Sequence, residues 1–184
     1  RDYAQRELIK DVIERDTKAE FPTEHVKKIS ELGFMGMLVD PKYDGTGFDT
    51  VSYVLALEEI SKVDSSVAVI ISVNNSLVAW GIEKYGTEEQ KERWLKPMAR
   101  GDEIGAFLLS EPEAGSDANS GKAKAKLTDD GKHYILDGVK MWITNGGVAD
   151  VHIVFAKIDD DKNLSAFIVE SAWEGVTIGA EEEK

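Results

Sequence analysis

The chain contains no cysteine. That excludes a disulfide framework, a thiolate nucleophile and any cysteine metal site, and it fits a reducing compartment. Histidine is nearly as scarce: His25, His133 and His152 are the only three, and they form no ligand or acid–base cluster in sequence. The first is expected on a helix surface and the other two in strands. Basic residues are in deficit, 22 against 35 acidic, and the net charge of −13 argues against nucleic acid or an anionic membrane as a partner. A bound polyanion must then be met by local donors. No apolar run is expected to reach the length of a membrane span, and the first residues lack the charged-then-apolar pattern of a signal segment. There is no internal repeat and no low-complexity tract. What remains is ordinary globular composition, 184 residues with 42% hydrophobic and 31% charged, enough for one large domain or two small ones.

The first half has helical periodicity. Ala4, Leu8 and Val12, with Ile9 and Ile13, make one apolar stripe, and Val26, Ile29 and Leu32 make a second, stopped by Gly33 at a C-cap position. Residues 41–47 are a turn-rich connector. Helical patterning resumes over 53–60 with Val54, Leu55 and Leu57 expected inward. Residues 67–82 carry no charge and predict a buried central helix, whose Ser72, Asn74, Asn75 and Ser76 must find partners or line a cavity. Thr87 to Gln90 has the capping-box pattern, opening a helix that ends near Pro97 and Gly101.

The second half changes period. Residues 104–109 form an apolar strand run, Lys122 to Leu127 alternate strictly, and Thr128-Asp129-Asp130-Gly131 is a turn before a strand over 133–136. Residues 151–156 and 164–169 are expected to pair as a hairpin. The acidic turn between them, Asp159 to Asp161, lacks the spacing and terminal Glu of a calcium loop. Helices first and strands second give the α+β class, with domains at 1–103 and 104–184. The chain opens inside a helical pattern and stops just after a strand-like run, so it reads as a fragment cut at both ends.

Two polar signatures carry the chemistry: Leu109-Ser110-Glu111-Pro112-Glu113-Ala114-Gly115-Ser116-Asp117 and Met141-Trp142-Ile143-Thr144-Asn145-Gly146-Gly147. The first offers hydroxyls at Ser110 and Ser116 and amides freed by a Gly-containing turn. These suit a ring edge with carbonyls and a pyrophosphate. The second adds an aromatic plane and another hydroxyl, and if it is a strand, Trp142 and Thr144 share a face. Asn145-Gly146-Gly147 is then a turn chosen for positive φ. Glu111 is expected to hold the loop and Asp117 to cap local amides. Other patterns fail: Gly45-Thr46-Gly47 lacks a third glycine and a preceding strand, and Ser116 is in no nucleophile elbow.

Phe107 to Asp117 followed by Trp142-Ile143-Thr144 resembles the acyl-CoA dehydrogenases, and the resemblance runs along the whole chain. Val73-Asn74-Asn75-Ser76-Leu77, Gly86-Thr87-Glu88-Glu89-Gln90-Lys91 and Gly101-Asp102-Glu103-Ile104-Gly105 are most similar to the short-chain (butyryl-CoA) branch. The resemblance implies an all-helical N-terminal domain and a middle domain built as a β-barrel or sandwich, with the C-terminal helical bundle missing. It implies FAD as cofactor, bound by Phe107, Leu109, Ser110, Gly115, Ser116, Trp142, Ile143 and Thr144, with Ser116 also facing the acyl-CoA thioester arm. It implies α,β-dehydrogenation of a short-chain acyl-CoA in fatty acid β-oxidation, with electrons passed to electron-transfer flavoprotein. The full-length enzyme would be a homotetramer in the bacterial cytoplasm or mitochondrial matrix. The catalytic base, a glutamate of the missing bundle, would lie outside this chain, leaving the fragment inactive alone, with no metal. Glu113 departs from the family, where many members have Gly. An acyl-CoA oxidase, a flavin monooxygenase-like relative and a non-catalytic truncated module are the alternatives.

Overall fold

The computed structural model describes residues 1–159 and 161–182. The chain divides into two compact units, Arg1–Ile104 and Gly105–Lys184. In the first, helices α1 (Asp2–Arg6), α2 (Val12–Lys18), α3 (Thr23–Glu31), α4 (Thr50–Ser61), α5 (Ser65–Ser72), α6 (Trp80–Tyr85), α7 (Glu88–Gln90) and α8 (Lys96–Arg100) surround a core that includes Leu8, Ile29, Met35, Val67 and Ile71.

The first apolar stripe does not form one helix. A 3₁₀ turn over Leu8–Lys10 separates α1 from α2, and although Ala4 and Leu8 are buried, Ile9 and Ile13 face solvent, Ile13 at 80% exposure. An ion pair sets this rotation. Arg15 reaches inward to Asp64 at 2.7 Å and also meets Asp11 at 3.2 Å, and residues two apart on a helix lie on nearly opposite sides, so Ile13 is turned out. Asp64 in turn accepts from the Val67 amide at the start of α5. His25 is not a surface residue either: it is largely enclosed between the Tyr3 hydroxyl, 2.8 Å from Nδ1, and the Asp11 carboxylate, 3.0 Å from Nε2.

In α3, Val26 and Ile29 are buried and Leu32 is exposed, with Gly33 in the left-handed region just past the helix end. The connector after it is shaped by Gly45, where a Cβ would lie 2.0 Å from the Val39 carbonyl oxygen. Helix α4 turns Tyr53 and Ile60 inward with Leu57, while Val54 and Leu55 are exposed, contrary to expectation. The helix is apolar on most sides, so its sequence offered no contrast between faces.

Helices α5 and α6 are continuous through a π-helical stretch, Val73–Ala79. Contrary to the sequence expectation, Ser65–Tyr85 is long and apolar enough to cross a membrane by length and composition. Its place in the core explains much of the apolarity, through Val67, Ile71, Val78 and Ile82, while Val69, Leu77 and Trp80 are exposed. Asn74 donates to the Met35 carbonyl (2.9 Å), and Asn75 donates to the Phe34 and Ile71 carbonyls (2.9 and 3.0 Å) and accepts from the Leu38 amide (3.2 Å). Ser76 returns its hydroxyl to the Ser72 carbonyl. The capping box at Thr87 and Gln90 is formed in both directions. The helix it opens runs past Pro97 to Arg100, because the π-helical stretch Lys91–Leu95 absorbs the backbone that a proline disrupts, and it ends at left-handed Gly101.

The second unit is a mixed sheet of β1 (Gly105–Leu108), β2 (Lys124–Leu127), β3 (Tyr134–Asp137), β4 (Val151–Ile158) and β5 (Leu164–Glu170). β4 is its middle. Along one edge β5 runs antiparallel from Val151↔Glu170 to Lys157↔Leu164. Along the other edge β1 and β2 lie end to end, both parallel to it: Gly105↔Val151 through Leu108↔Val154, then Lys124↔Lys157 and Ala125↔Ile158. β3 completes a hairpin with β2, turned at Gly131 with φ +68°. The alternation over 122–127 is realised with Ala123 and Ala125 packed on Ala156 and the lysines outward. Asp159 and Asp161 do form a turn between β4 and β5, while Asp160 lies outside the described residues.

Candidate functional site

β1 delivers the first signature. Pairing with β4 holds Phe107 against Phe155, ring centroids 4.8 Å apart, and the chain leaves the strand at Leu109 and Ser110, both half-buried. Two backbone bonds between Glu111 and Ala114 (3.0 and 3.1 Å) then close a tight turn around Pro112 and Glu113. Gly115 and Ser116 follow as an exposed bend. Among the described residues no hydrogen bond claims their amides or the hydroxyls of Ser110 and Ser116. Glu113 sits on the surface in an ion pair with Lys122. Asp117 does not cap with its side chain; its carbonyl accepts from the amide and hydroxyl of Ser120.

The second signature is not a strand. β3 stops at Asp137 and β4 starts at Val151, and residues 141–144 between them pair with no neighbour in a ladder. Trp142 has φ +57°, a left-handed conformation that costs a non-glycine residue roughly 1–2 kcal/mol and turns the chain out of any extended run. The i, i+2 argument for a shared face therefore fails. Trp142 is 70% exposed, Thr144 is exposed and Ile143 is half-buried. Within the turn Asn145-Gly146-Gly147 the expected positive φ is taken by Asn145, at +65°, and by neither glycine.

Side chains and loop bonds take the place of the ladder. The Met141 amide donates to the Ser110 carbonyl (3.1 Å), and Lys140 Nζ donates to the Leu109 carbonyl (3.1 Å) and to Glu111 Oε1 (2.7 Å). Asn145 Nδ2 donates to the Gly105 carbonyl (3.1 Å), and the Asn145 carbonyl receives the amides of Val148 and Ala149. The two signatures are thus brought together, along 109–111 and 140–141. Lys140 and Asn145 carry no motif value of their own, and the partners that give them meaning are about thirty to forty residues away in sequence.

Glu111 is the electrostatic centre. It and Lys140 are almost wholly buried, at 6% and 7% side-chain exposure. Burial acts to raise its carboxyl pKa, but the bonds from Lys140 and from the amides of Lys122 (2.5 Å) and Ala123 (3.2 Å) outweigh burial and hold it below the ordinary carboxylate value. It holds the loop, as expected. Among the described residues, the groups of the two signatures left without a hydrogen bond include the Trp142 indole and the hydroxyls of Ser110, Ser116 and Thr144. Such a set, with free amides at a bend, can receive a flat heteroaromatic ring and an anionic chain without charge from the protein.

Known proteins match the chain along its whole length. Residues 1–102 match the model of the acyl-CoA dehydrogenase N-terminal domain and residues 106–184 that of the middle domain. The short-chain specific acyl-CoA dehydrogenase of Clostridium acetobutylicum is 43% identical over the whole chain, which covers 49% of that protein. The structure of butyryl-CoA dehydrogenase from Megasphaera elsdenii superposes with a TM-score of 0.94 at 42% identity, over 100% of this chain and 49% of that one. A glutaryl-CoA dehydrogenase from Mycobacterium smegmatis in complex with FADH2 gives 0.92 at 38% identity, over 99% and 46%. The chain spans about half the length of the relatives it matches. By both domain models and by identity along its full length, it belongs to the acyl-CoA dehydrogenase family.

Proposed function

We propose that this chain supplies one side of an FAD cradle in an enzyme that dehydrogenates a short-chain acyl-CoA to the trans-2-enoyl-CoA and passes electrons to electron-transfer flavoprotein. The observation that carries this reading is the clasp between Ser110 and Met141, reinforced by Lys140, which holds two segments together with their hydroxyls, amides and indole unspent. Those groups fit FAD. Leu109 and Ser110 would lie along the pyrimidine edge, the Gly115 and Ser116 amides and the Ser116 hydroxyl toward the pyrophosphate and the thioester arm, and Trp142 against the isoalloxazine. Phe107 and Ile143 back these contacts from β1 and from the loop. Thr144 would place its hydroxyl near N5 and donate a hydrogen bond there, favouring charge on the reduced ring. When bound, FAD accepts the β hydride.

The α proton must leave to a carboxylate on the opposite side of the substrate. No residue of this chain is assigned that role; it falls to the part of the protein corresponding to the other half of its relatives' length, as do completion of the FAD site and assembly into a tetramer. The same reading places the enzyme in bacterial cytoplasm or mitochondrial matrix. The test is anaerobic addition of butyryl-CoA to the full-length protein. Flavin should bleach, and Thr144→Val should slow bleaching by on the order of a hundredfold while Kd for the substrate changes little. Absence of flavin, or flavin that no acyl-CoA bleaches, would overturn the proposal, and peroxide release under air would move the enzyme to the oxidases.

A further inference from the structure

Three pieces of backbone outside the sheet ladder meet at one buried ion pair. The exit of β1 contributes the Leu109 carbonyl and Glu111, the approach to β2 contributes the amides of Lys122 and Ala123, and the exit of β3 contributes Lys140 and, next to it, Met141. The geometry points to Lys140, held by Glu111, as a positioning residue that fixes Trp142 and Thr144 in relation to Ser110.

Stability is a poor reason for such a pair, because two apolar side chains of similar volume in the same place are often as stabilising. Direction is what an apolar pair cannot supply. The ammonium spends one proton on a carbonyl at the end of β1 and another on the carboxylate that anchors the start of β2, so the chain two residues before Trp142 is tied to two strands at once. Trp142 then takes its left-handed turn from a fixed point. Without that tie the bond from the Met141 amide to Ser110 stands alone at this end of the segment, and Asn145 anchors only the other end. Neither Lys140 nor Glu111 is exposed, so they act through the residues they hold.

This inference rests on the flavin reading above, and the experiment separates the two. In the full-length protein, the flavin reduction potential, the visible flavin spectrum and the thermal midpoint are measured for the wild type, Lys140→Met and Lys140→Arg. The expectation is a potential more negative in Lys140→Met by about 30 mV, the equivalent of a tenfold weaker preference for reduced over oxidised flavin, with the spectrum altered and Lys140→Arg restoring much of both. Should Lys140→Met fail to fold, Glu111→Gln, which keeps shape and an acceptor for the two amides, is read the same way. A lowered thermal midpoint with unchanged potential and spectrum would overturn the inference and leave the pair merely structural. A wild-type protein that holds no flavin would overturn the flavin reading itself, and the inference with it.

Discussion

His152 lies in β4 with Ala106 as its β1 partner and Val169 as its β5 partner, 2% exposed, and its Nε2 has no hydrogen-bond partner among the described residues. Burial lowers its pKa below 6.5, against a weaker opposing pull from Asp150. The folded chain therefore binds fewer protons than the unfolded chain below pH 6.5, and stability is lost as pH falls from there through the lower folded value. His152→Leu should remove that loss: between pH 7.5 and 5.5 the unfolding free energy of the wild type, from urea titration, falls by no more than about 1.4 kcal/mol per pH unit, while that of the variant stays nearly level. Glu111 acts in a separate window. Its contribution is present above pH 4.5 and goes only as pH drops through its depressed folded value. At this scale the sequence was half legible. Ser110 and Ser116 could be singled out because their motif is local, whereas the partners of His25, the burial of His152 and the bonds of Lys140 depend on neighbours that arrive from elsewhere in the chain.

Among the elements, the helix through Ser65–Tyr85 shows how polar groups are tolerated in a core. Asn74 and Asn75 are fully buried, and each spends its amide on carbonyls at the turn following α3. Asn74→Leu matches the volume but leaves the Met35 carbonyl without its donor, and should cost about 2 to 4 kcal/mol in urea unfolding at unchanged m-value. That polar residues in an uncharged helix must find partners could be read from composition alone. The partners could not. The strands were recognisable because β2 alternates lysine with alanine and leucine, and β4 is apolar at every position but His152 and Lys157. The stretch 141–144 has the same local look, yet Lys140, Met141 and the reversed φ at Trp142 bind it to a loop instead of a sheet. Hydrophobic pattern sets a strand only where a neighbouring strand is free to receive it.

On the scale of the whole molecule, each unit has its own core, and the chain covers about half of its relatives' length. On the proposed reading, in which the chain supplies one side of the cradle, residues 1–184 expressed alone should fold but retain FAD weakly; gel filtration followed by a flavin spectrum tests this, and stoichiometric retained FAD would contradict it. The two-domain order could be read from the change of period, but the sheet's connectivity was not, because parallel pairing of β1 and β2 to β4 leaves no local mark. That connectivity governs how the polypeptide is made. As it emerges from the ribosome, β2 and β3 can close on each other at once, but β1 has nothing to pair with until β4 has been synthesised. The polar loop beyond β1, with Ser110 and Glu111, is thus translated early and acquires its shape late, when one strand draws both of its predecessors into line.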